Sequence, residues 1–403
     1  MVAANLISKH KELDKNNIFH YKKSINLIKT AAIYGSNASG KSNFIKAFVF
    51  MRNFVINSSK ESQAAEEIDV ESHRLSTTTE KEPSFFEIIF VINEFRYRYG
   101  FKLDRKRVHS EWLFRSKVRE TNLFIRHNEE ISAKGPFNEG KGIEKKTRQN
   151  ALFLSVCAQW NGKIATEILK WFRNCGIISG IEDIGYRPFT ITQLEQTAAK
   201  DKILSFIREF DFGISDLKVT HTSITEDNFP KNIPESFRKY LLERGANKTT
   251  IYTTHKKFNE KGECVGDEIF ELDQNESDGT KKAFSFSGPL LDVIANGKVL
   301  IVDELDARLH PIITQAIVQM FHDKHLNPNN AQLLFATHDT NLLNNNFFRR
   351  DQVWFMEKNK YGATDLYSLA DFKVRNDASF EKDYIAGKYG GIPFLGGIKR
   401  LGD

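Results

Sequence analysis

The stretch Val299-Leu300-Ile301-Val302-Asp303-Glu304-Leu305-Asp306-Ala307-Arg308-Leu309-His310-Pro311 decides the fold that this sequence predicts. Its four leading apolar residues are typical of a short strand buried on both faces, as in a parallel sheet. Asp303 and Glu304 follow at once, at the carboxyl end of the strand, where open α/β sheets bind their ligands. A buried acid pair requires a cation, and Mg²⁺ on a nucleotide is the simplest one. A solvated strand end gives the same letters, so the interpretation needs a second motif.

That motif is an upstream glycine loop. The pattern G-x-x-x-x-G-K-[ST] is matched at every fixed position by Gly35-Ser36-Asn37-Ala38-Ser39-Gly40-Lys41-Ser42, with Asn43 after it. Residues 30–34 form a predicted strand and residues 43–52 have helical spacing, which is the context that the motif needs. Backbone N–H groups and the helix N-terminus would hold phosphates, Lys41 would reach the β- and γ-phosphates, and Ser42 would bind Mg²⁺. The alternative is a chance glycine turn with a surface lysine, and the flanking elements argue against it.

The bulk composition describes an ordinary globular chain. It has 403 residues, 40% hydrophobic and 27% charged, enough for one large domain or two ordinary ones. No apolar run approaches the roughly 18–20 residues needed to cross a bilayer, and residues 1–15 lack the apolar block of a secretory signal. Cys157, Cys175 and Cys264 lie far apart, so a reducing cytoplasm and no membrane partner are expected. The net charge of +6 permits a DNA or RNA partner without requiring one.

The middle of the chain predicts two further parts. Apolar residues alternate between 85 and 125, which favours about four antiparallel strands joined by turns. Basic and aromatic residues interleave there and could form a nucleic-acid face, although a half-buried meander with an outward charged side is the interpretation we favour: Arg96, Tyr97, Arg98, Tyr99, Lys102 and Arg105. Residues 161–210 look mostly helical, and 230–248 predicts a short helix with turns. We therefore expect a P-loop core at 1–56 and 270–403, an antiparallel β subdomain at 57–130, and an inserted helical and mixed lobe at 131–269.

Two features flank the acidic strand. Ser277 and Gly279 stand near the start of an amphipathic helix that runs to about residue 295, a place that suits anions but also an ordinary N-cap. Residues 311–325 predict another helix, and residues 332–336 another buried strand that leads to Thr337 and His338. A lone histidine at a strand end is usually structural. The order of the elements around His338 is what gives it a functional interpretation.

This order of motifs resembles the ABC-class ATPases, and within them the soluble branch that includes SMC-type and OLD-type proteins. Within that branch the chain looks like bacterial ATPases associated with abortive infection and other anti-phage systems. The resemblance spans nearly the whole chain. It implies an α/β fold with a mixed sheet, an antiparallel β-meander subdomain and an inserted helical lobe. The residues that carry it are Tyr34–Asn43, Glu276–Lys281, Asp303–Pro311 and Ala336–Asp339.

The resemblance also implies roles for individual residues. Lys41 and Ser42 would hold phosphate and Mg²⁺, Asp303 would hold Mg²⁺ through water, Glu304 would act as general base, and His338 would sense the γ-phosphate. Ser277 and Gly279 would contact the γ-phosphate held by a second copy, and Asp306 would cross the same interface, so two ATP molecules would join a twofold dimer. Gln159 is a candidate link between the γ-phosphate and the inserted lobe, near the metal, although a surface glutamine is equally compatible.

Two departures from the family pattern matter. The usual glycine pair of the signature is Asp278-Gly279 here, which weakens the expectation of contacts with a second copy. Relatives also open with a strand carrying an Asn-Phe-Arg-Ser-Phe-like stretch before the region that matches Met1. One hypothesis is that Met1 is an internal or misassigned start, which reading the gene upstream would test.

Three functions remain open from the sequence. The first is an ATP-driven dimeric switch that controls a separately encoded effector, such as a nuclease, in anti-phage defence, since no second catalytic centre is apparent. The second is a repair-like ATPase that binds DNA through the basic segment 141–148. The third is a scaffold that binds ATP with little turnover. A GTPase is disfavoured because the guanine motif Asn-Lys-x-Asp is absent. The position of Thr337 and His338 after a second buried strand is foreign both to GTPases and to AAA+ ATPases, so an AAA+ ATPase is disfavoured too.

Overall fold

The computed structural model describes residues 1, 3, 11–22, 25–61, 63, 66–183, 185–225, 235, 239, 242, 244–375 and 378–393. The strands are β1 (Ile18–Lys22), β2 (Ile25–Ile28), β3 (Thr30–Gly35), β4 (Ser84–Ile92), β5 (Phe95–Leu103), β6 (Val108–Ser116), β7 (Glu120–His127), β8 (Glu130–Ala133), β9 (Gly176–Ser179), β10 (Ile214–Ser223), β11 (Asn247–Phe258), β12 (Cys264–Glu271), β13 (Val299–Asp303), β14 (Gln332–Ala336), β15 (Val353–Lys358) and β16 (Thr364–Ser368). The helices are α1 (Lys11–Asn16), α2 (Lys41–Asn57), α3 (Phe153–Gln159), α4 (Lys163–Asn174), α5 (Arg187–Leu194), α6 (Thr197–Glu209), α7 (Leu272–Asn275), α8 (Asp278–Asn296), α9 (Pro311–His322) and α10 (Phe380–Ile385).

A six-stranded mixed sheet forms the centre of the molecule. Its strand order is β16-β15-β3-β14-β13-β9, and every neighbouring pair is parallel except β15 and β16. Because side chains alternate along a strand, each strand supplies both faces of the sheet. One face, with Tyr34, Val302 and Phe335, joins a large cluster that includes α5, α6 and α8; the other, with Ile301, packs against Ile45 of α2. Burial on both faces explains why these strands are almost continuously apolar.

The antiparallel meander β4-β5-β6-β7-β8 forms a second core with the segment that follows it. A buried ion pair within the meander lies at the junction with that segment: Glu111 of β6 is 4.0 Å from Arg126 of β7, and both are almost fully buried. Glu111 accepts hydrogen bonds from the backbone N–H groups of Phe153 and Leu154, at 2.6 and 3.0 Å, where α3 begins. Burial raises the pKa of Glu111. A carboxylate from the meander therefore stabilises the N-terminus of α3.

Two smaller sheets complete the fold. The antiparallel order β10-β11-β12 packs near α6 and α7, and β1 pairs with β2. Beside β2, the N–H of Ile28 donates to the carbonyl of Met1, and the N–H of Ala3 donates to the carbonyl of Asn26.

The predicted mixed α/β fold is confirmed, and the differences lie in the extent of its parts. The meander has five strands rather than about four. The helix predicted over 311–325 ends at His322, because the Asp323 carboxylate accepts the N–H groups of His325 and Leu326. Most of the helix predicted within 230–248 lies outside the described residues. Within the described ranges, no helix is both long and apolar enough to span a bilayer.

The hydrophobic clusters divide the chain differently from the predicted lobes. The segment 137–172, placed in the inserted lobe, shares one core with the meander and with Met51 and Val55 of α2. The segment 178–251 instead packs against the central sheet, and β9 is a strand of that sheet. The insertion is therefore shared between the two large cores.

A buried polar network lies at the edge of the central sheet opposite the phosphate loop. Lys29 Nζ donates to the His322 carbonyl at 3.2 Å, and Thr30 Oγ1 lies 2.7 Å from His322 Nε2. Gln352 donates to Thr30 Oγ1, so the Thr30 hydroxyl is left to donate to a neutral imidazole. Burial, reinforced by the charge of Lys29, lowers the pKa of His322 to about 3.

This network predicts a specific sensitivity to acid. Because His322 is neutral in the fold but has a pKa of about 6.5 when unfolded, protons bind the unfolded chain in preference and stability falls with pH below about 6.5. Between pH 7 and pH 5 the titration of His322 lowers the free energy of unfolding by about 2 kcal/mol. His322→Gln should flatten that part of the pH dependence of urea unfolding, whereas His325→Gln, at an exposed position, should not. Equal slopes for His322→Gln and the wild type would contradict this assignment.

Candidate nucleotide-binding site

The glycine loop lies between β3 and α2, as its pattern predicts. Ser39 donates its N–H to the Ser36 carbonyl at 3.1 Å, and Asn37 and Ala38 form the exposed turn between them. Gly40 begins the helix with φ 111°, and a Cβ there would collide with Thr364 at the start of β16. The Thr364 hydroxyl donates to the Ser39 carbonyl at 2.8 Å. Only glycine fits at position 40, because the backbone is left-handed and β16 closes over it.

Lys41 supplies the positive charge of the loop. It is only 6% exposed, and Nζ donates to the carbonyls of Gly35 and Ser36 at 2.7 and 3.2 Å. Desolvation lowers the pKa of Lys41, while the charges of Glu304, Asp303 and Asp306 oppose that shift. Ser42 follows on the first turn of α2, half-buried, and Asn43 is exposed beside it. The loop thus brings a buried cation to the acids of β13.

Asp303 and Glu304 end β13, two strands from the loop, at the same edge of the sheet. Glu304 has φ 54°, a left-handed conformation that is uncommon for a residue with a side chain. The segment after β9 holds this turn: the Gly180 N–H donates to the Asp303 carbonyl at 2.6 Å, and a Cβ on Gly180 would overlap the Glu304 carbonyl oxygen. Leu305 donates its N–H to Ala336 of β14 at 3.1 Å. The direction of the catalytic candidate Glu304 is therefore set by its neighbours.

His338 follows β14, the strand between β3 and β13. Its backbone N–H donates to both carboxylate oxygens of Asp306, at 3.3 and 3.4 Å. The ring is exposed at the site, yet desolvation and then the charge of Lys41 lower the pKa of His338, against the acids Asp306, Glu304 and Asp303. Asp306 therefore has a contact within its own chain, and its role across a dimer interface stays a prediction. The neutral ring leaves His338 able to donate one hydrogen bond to an anion.

The donor set fits a magnesium ion. Oδ1 of Asp303 is buried and has no hydrogen-bond partner among the described residues, and an orphaned carboxylate oxygen is costly unless a cation or bound water meets it. Carboxylate and hydroxyl oxygens are the ligands that Mg²⁺ prefers, so Asp303 and Ser42 could hold it together with phosphate oxygens.

The signature turn lies at the start of α8. Ser277 Oγ caps the helix by accepting the N–H of Thr280 at 3.1 Å. The Arg308 carbonyl oxygen is 3.0 Å from the place that a Cβ on Gly279 would occupy, so the turn lies against the segment that follows Glu304. Glu276, just before it, accepts hydrogen bonds from His255 and Thr253 of β11. The two predicted contact residues are at a helix N-terminus, and their contacts with a second copy stay a prediction.

Gln159 is not brought to this site. It lies exposed at the end of α3, which packs through Ser155 against Val55 and Ser58 at the C-terminal end of α2. At 1.5 Å per residue that end is about 20 Å along the helix from Ser42. We therefore assign Gln159 no part in the proposed site.

Sequence reasoning missed three residues that shape the site: Gly180, Lys282 and Thr364. Gly180 and Thr364 act through close backbone approach, which leaves no pattern in one sequence. Lys282 carried a signal, since it occupies a position of α8 that continues into the buried residues Ala283 and Phe284. A lysine in the apolar face of a helix indicates a buried polar partner.

The chain is similar to several solved structures at low sequence identity. One of these structures is the SMC head domain from Thermotoga maritima, which is 12% identical to this chain and has a TM-score of 0.37. The match covers 85% of this chain and 92% of that chain. The recombination mediator protein RecF with ATP gives 14% identity, 87% and 96% coverage, and a TM-score of 0.27. CbiO1 from Clostridium perfringens, part of the ABC transporter complex cbiONQ, gives 13% identity, 93% and 89% coverage, and a TM-score of 0.29. No curated protein matches the chain.

The family comparison covers most of the sequence. Residues 31–344 of the 403 match the family described as "AAA domain, putative AbiEii toxin, Type IV TA system". That span runs from β3, before the phosphate loop, through the acidic strand and the histidine that follows β14. On this match and on the P-loop site, the chain belongs to that family of P-loop ATPases.

Proposed function

We propose that this chain binds ATP with Mg²⁺ and hydrolyses it to ADP and phosphate. The observation that carries the proposal is the meeting of four side chains at one edge of the central sheet. Lys41 lies in the loop after β3, Asp303 ends β13 and Glu304 follows it, and His338 comes after the strand between them. A cation, an orphaned carboxylate, a second carboxylate and a neutral imidazole at one place suit phosphoryl transfer, in which catalysis consists mostly of positioning and charge neutralisation.

Each side chain has one task in this mechanism. The Glu304 carboxylate orients the attacking water and accepts its proton as the water oxygen bonds to the γ-phosphorus. The bond from that phosphorus to the bridging oxygen breaks, and the electron pair stays on ADP. Lys41 neutralises charge on the β- and γ-phosphates, and His338 donates a hydrogen bond to a γ-phosphate oxygen. Mg²⁺, held by Ser42 and Asp303, would withdraw charge from the phosphate oxygens.

We further propose that the chain is a switch that dimerises around two ATP molecules. Support comes from the signature turn, where the capped N-terminus of α8 presents Ser277 and Gly279, and backbone N–H groups at a helix N-terminus attract phosphate. A second copy would supply those donors through a twofold interface.

We propose that the switch controls a separately encoded effector protein in anti-phage defence. A nuclease is the first kind of effector to test. The family description, which names a toxin system, supports this reading without fixing the effector. A nucleic-acid contact on the meander face, which the sequence left open, has little support. There Arg98 is bonded to Glu120 at 2.7 Å and to Glu87 at 3.3 Å, and its guanidinium lies over Phe114. Charge that is paired within the chain contributes little to phosphate binding.

Replacing the general base should separate binding from chemistry. In Glu304→Gln the amide keeps the shape of the side chain but cannot accept the proton. We expect steady-state phosphate release to fall by about 10²- to 10⁴-fold while the affinity for ATP, measured by calorimetry, stays within a few-fold of the wild type. Lys41→Ala is the complementary variant, since it should lose affinity. If Glu304→Gln hydrolyses ATP at the wild-type rate, Glu304 is not the general base.

The dimer has its own test in the slow variant. Sedimentation of Glu304→Gln should show a monomer with ADP and a dimer with ATP and Mg²⁺, because hydrolysis no longer clears the bound ATP. Adding Ser277→Arg places a long cation at the proposed interface and should abolish the dimer. Calorimetry should show ATP still bound by the double variant. A dimer that persists with Ser277→Arg would place the interface elsewhere.

The defence role is tested in cells. A phage-sensitive bacterium that carries the gene with its genomic neighbours should form fewer phage plaques than an empty-vector strain. Lys41→Ala, at equal protein level, should restore plaque formation, because the switch then cannot bind ATP. Equal plaque counts for the full gene set and the vector, over a panel of phages, would contradict the proposed role but not the ATPase activity.

A further inference from the structure

The search for groups outside the proposed chemistry leads to Lys282, on the first turns of α8. It is 2% exposed, although lysine is almost never fully buried without a partner. Its Nζ donates to the carbonyl of Leu305 at 2.9 Å and to the carbonyl of Ala307. These two carbonyls flank Asp306 in the turn that follows Glu304. Desolvation lowers the pKa of Lys282 to about 8, against the charges of Asp306 and Glu304.

The turn that Lys282 contacts is conformationally demanding. Glu304 and Arg308 both have left-handed backbones, with φ of 54° and 62°. Each such residue costs on the order of 1–2 kcal/mol and persists only where surrounding contacts require it. Gly180 supplies the contact at the start of the turn, through the Asp303 carbonyl. Lys282 supplies the contacts in its middle, from a different element.

Lys282 also connects two halves of the proposed site. It lies five positions after Ser277 in the chain, one helical turn from the end of α8 that would meet phosphate. Gly279 lies against the Arg308 carbonyl at the far end of the same turn. A displacement of the first turn of α8 is therefore transmitted by an ammonium group to the backbone on either side of Asp306, and so to Glu304.

We propose that Lys282 is a positioning residue for ATP hydrolysis, which ties the start of α8 to the turn that carries Glu304 and Asp306. The inference rests on the proposed ATPase function. Lys282 touches neither the nucleotide nor the attacking water. Its effect is on the direction of the Glu304 carboxylate and on the backbone of His338, which Asp306 holds.

Lys29 offers a matched control. It is also almost fully buried, its Nζ donates to a backbone carbonyl, and burial lowers its pKa to about 8. It lies at the opposite edge of the central sheet, before β3. Lys29→Met and Lys282→Met therefore remove the same kind of group from the same kind of environment. Only the second change reaches the turn after Glu304.

The experiment combines hydrogen exchange with kinetics on the full chain. Without nucleotide, the amide hydrogens of residues 304–308 should exchange faster in Lys282→Met than in the wild type. In Lys29→Met they should exchange at the wild-type rate. With ATP and Mg²⁺, Lys282→Met should lower kcat by about 10- to 100-fold, since small misplacements of catalytic groups have that effect, while KM changes less than about twofold. Lys282→Arg, which keeps a cation and two donors, should recover turnover relative to Lys282→Met.

The outcomes separate this inference from the proposed function. If the wild type shows no turnover, the proposed ATPase activity fails, and the claim for Lys282 in hydrolysis fails with it. If the wild type turns over ATP but Lys282→Met and Lys29→Met reduce kcat equally, Lys282 is only a structural residue. Unchanged exchange of residues 304–308 in Lys282→Met would likewise overturn the proposal, whatever the activity. A rise in KM with an unchanged kcat would make Lys282 a determinant of ATP binding and would overturn the proposed positioning role.

Discussion

The alignment of three parallel strands is the constraint on which the site depends. β3, β14 and β13 are neighbours in register, so the residues that follow them emerge at one edge: the phosphate loop, His338, and the pair Asp303 and Glu304. That edge would hold uncompensated charge if any of the three segments stood alone. Lys41 meets the acids there, and the orphaned oxygen of Asp303 leaves one position for a cation. The apolar cores on both faces of the sheet fix this alignment.

The turn after β13 shows how the fold maintains a costly conformation at its functional edge. Hydrogen bonds reach this turn from three elements: the segment after β9, the strand β14 and the helix α8. Each bond is worth only about 1 kcal/mol, but together they are comparable with the cost of two left-handed residues. A turn held from several sides has few alternative positions. The backbone that carries Glu304 is thereby connected to α8.

The parts of this site that could be predicted from the sequence are those written in contiguous motifs. The loop Gly35–Ser42 and the run Asp303–Pro311 each contain their local structure, because glycine, lysine and paired acids after an apolar run have few other uses. The close approaches at Gly180 and Thr364 join residues more than 100 positions apart. Contacts between such distant positions cannot be recognised in a single sequence. The same reason explains Gln159: without the packing of α3 on α2, an exposed glutamine after an apolar run could not be told from one beside the phosphate. The contact of Glu111 with α3 likewise crosses the predicted boundary between the β subdomain and the inserted lobe, and no local pattern announces it.

The helix α2 gives the meander a physical connection to the phosphate loop. Its first residue, Lys41, is buried in the loop, Ile45 packs under the central sheet, and Met51 and Val55 belong to the second core. A single α-helix of 17 residues is about 25 Å long and stiff along its axis. A shift of the loop cannot be absorbed within such a helix, so it must move the second core against the central sheet or be resisted by both. Because Ser58 and Ser155 join the end of α2 to α3, the first element to respond would be the helix that Glu111 caps. The nucleotide edge and the meander are therefore mechanically linked through one helix, independently of the linkage through Lys282.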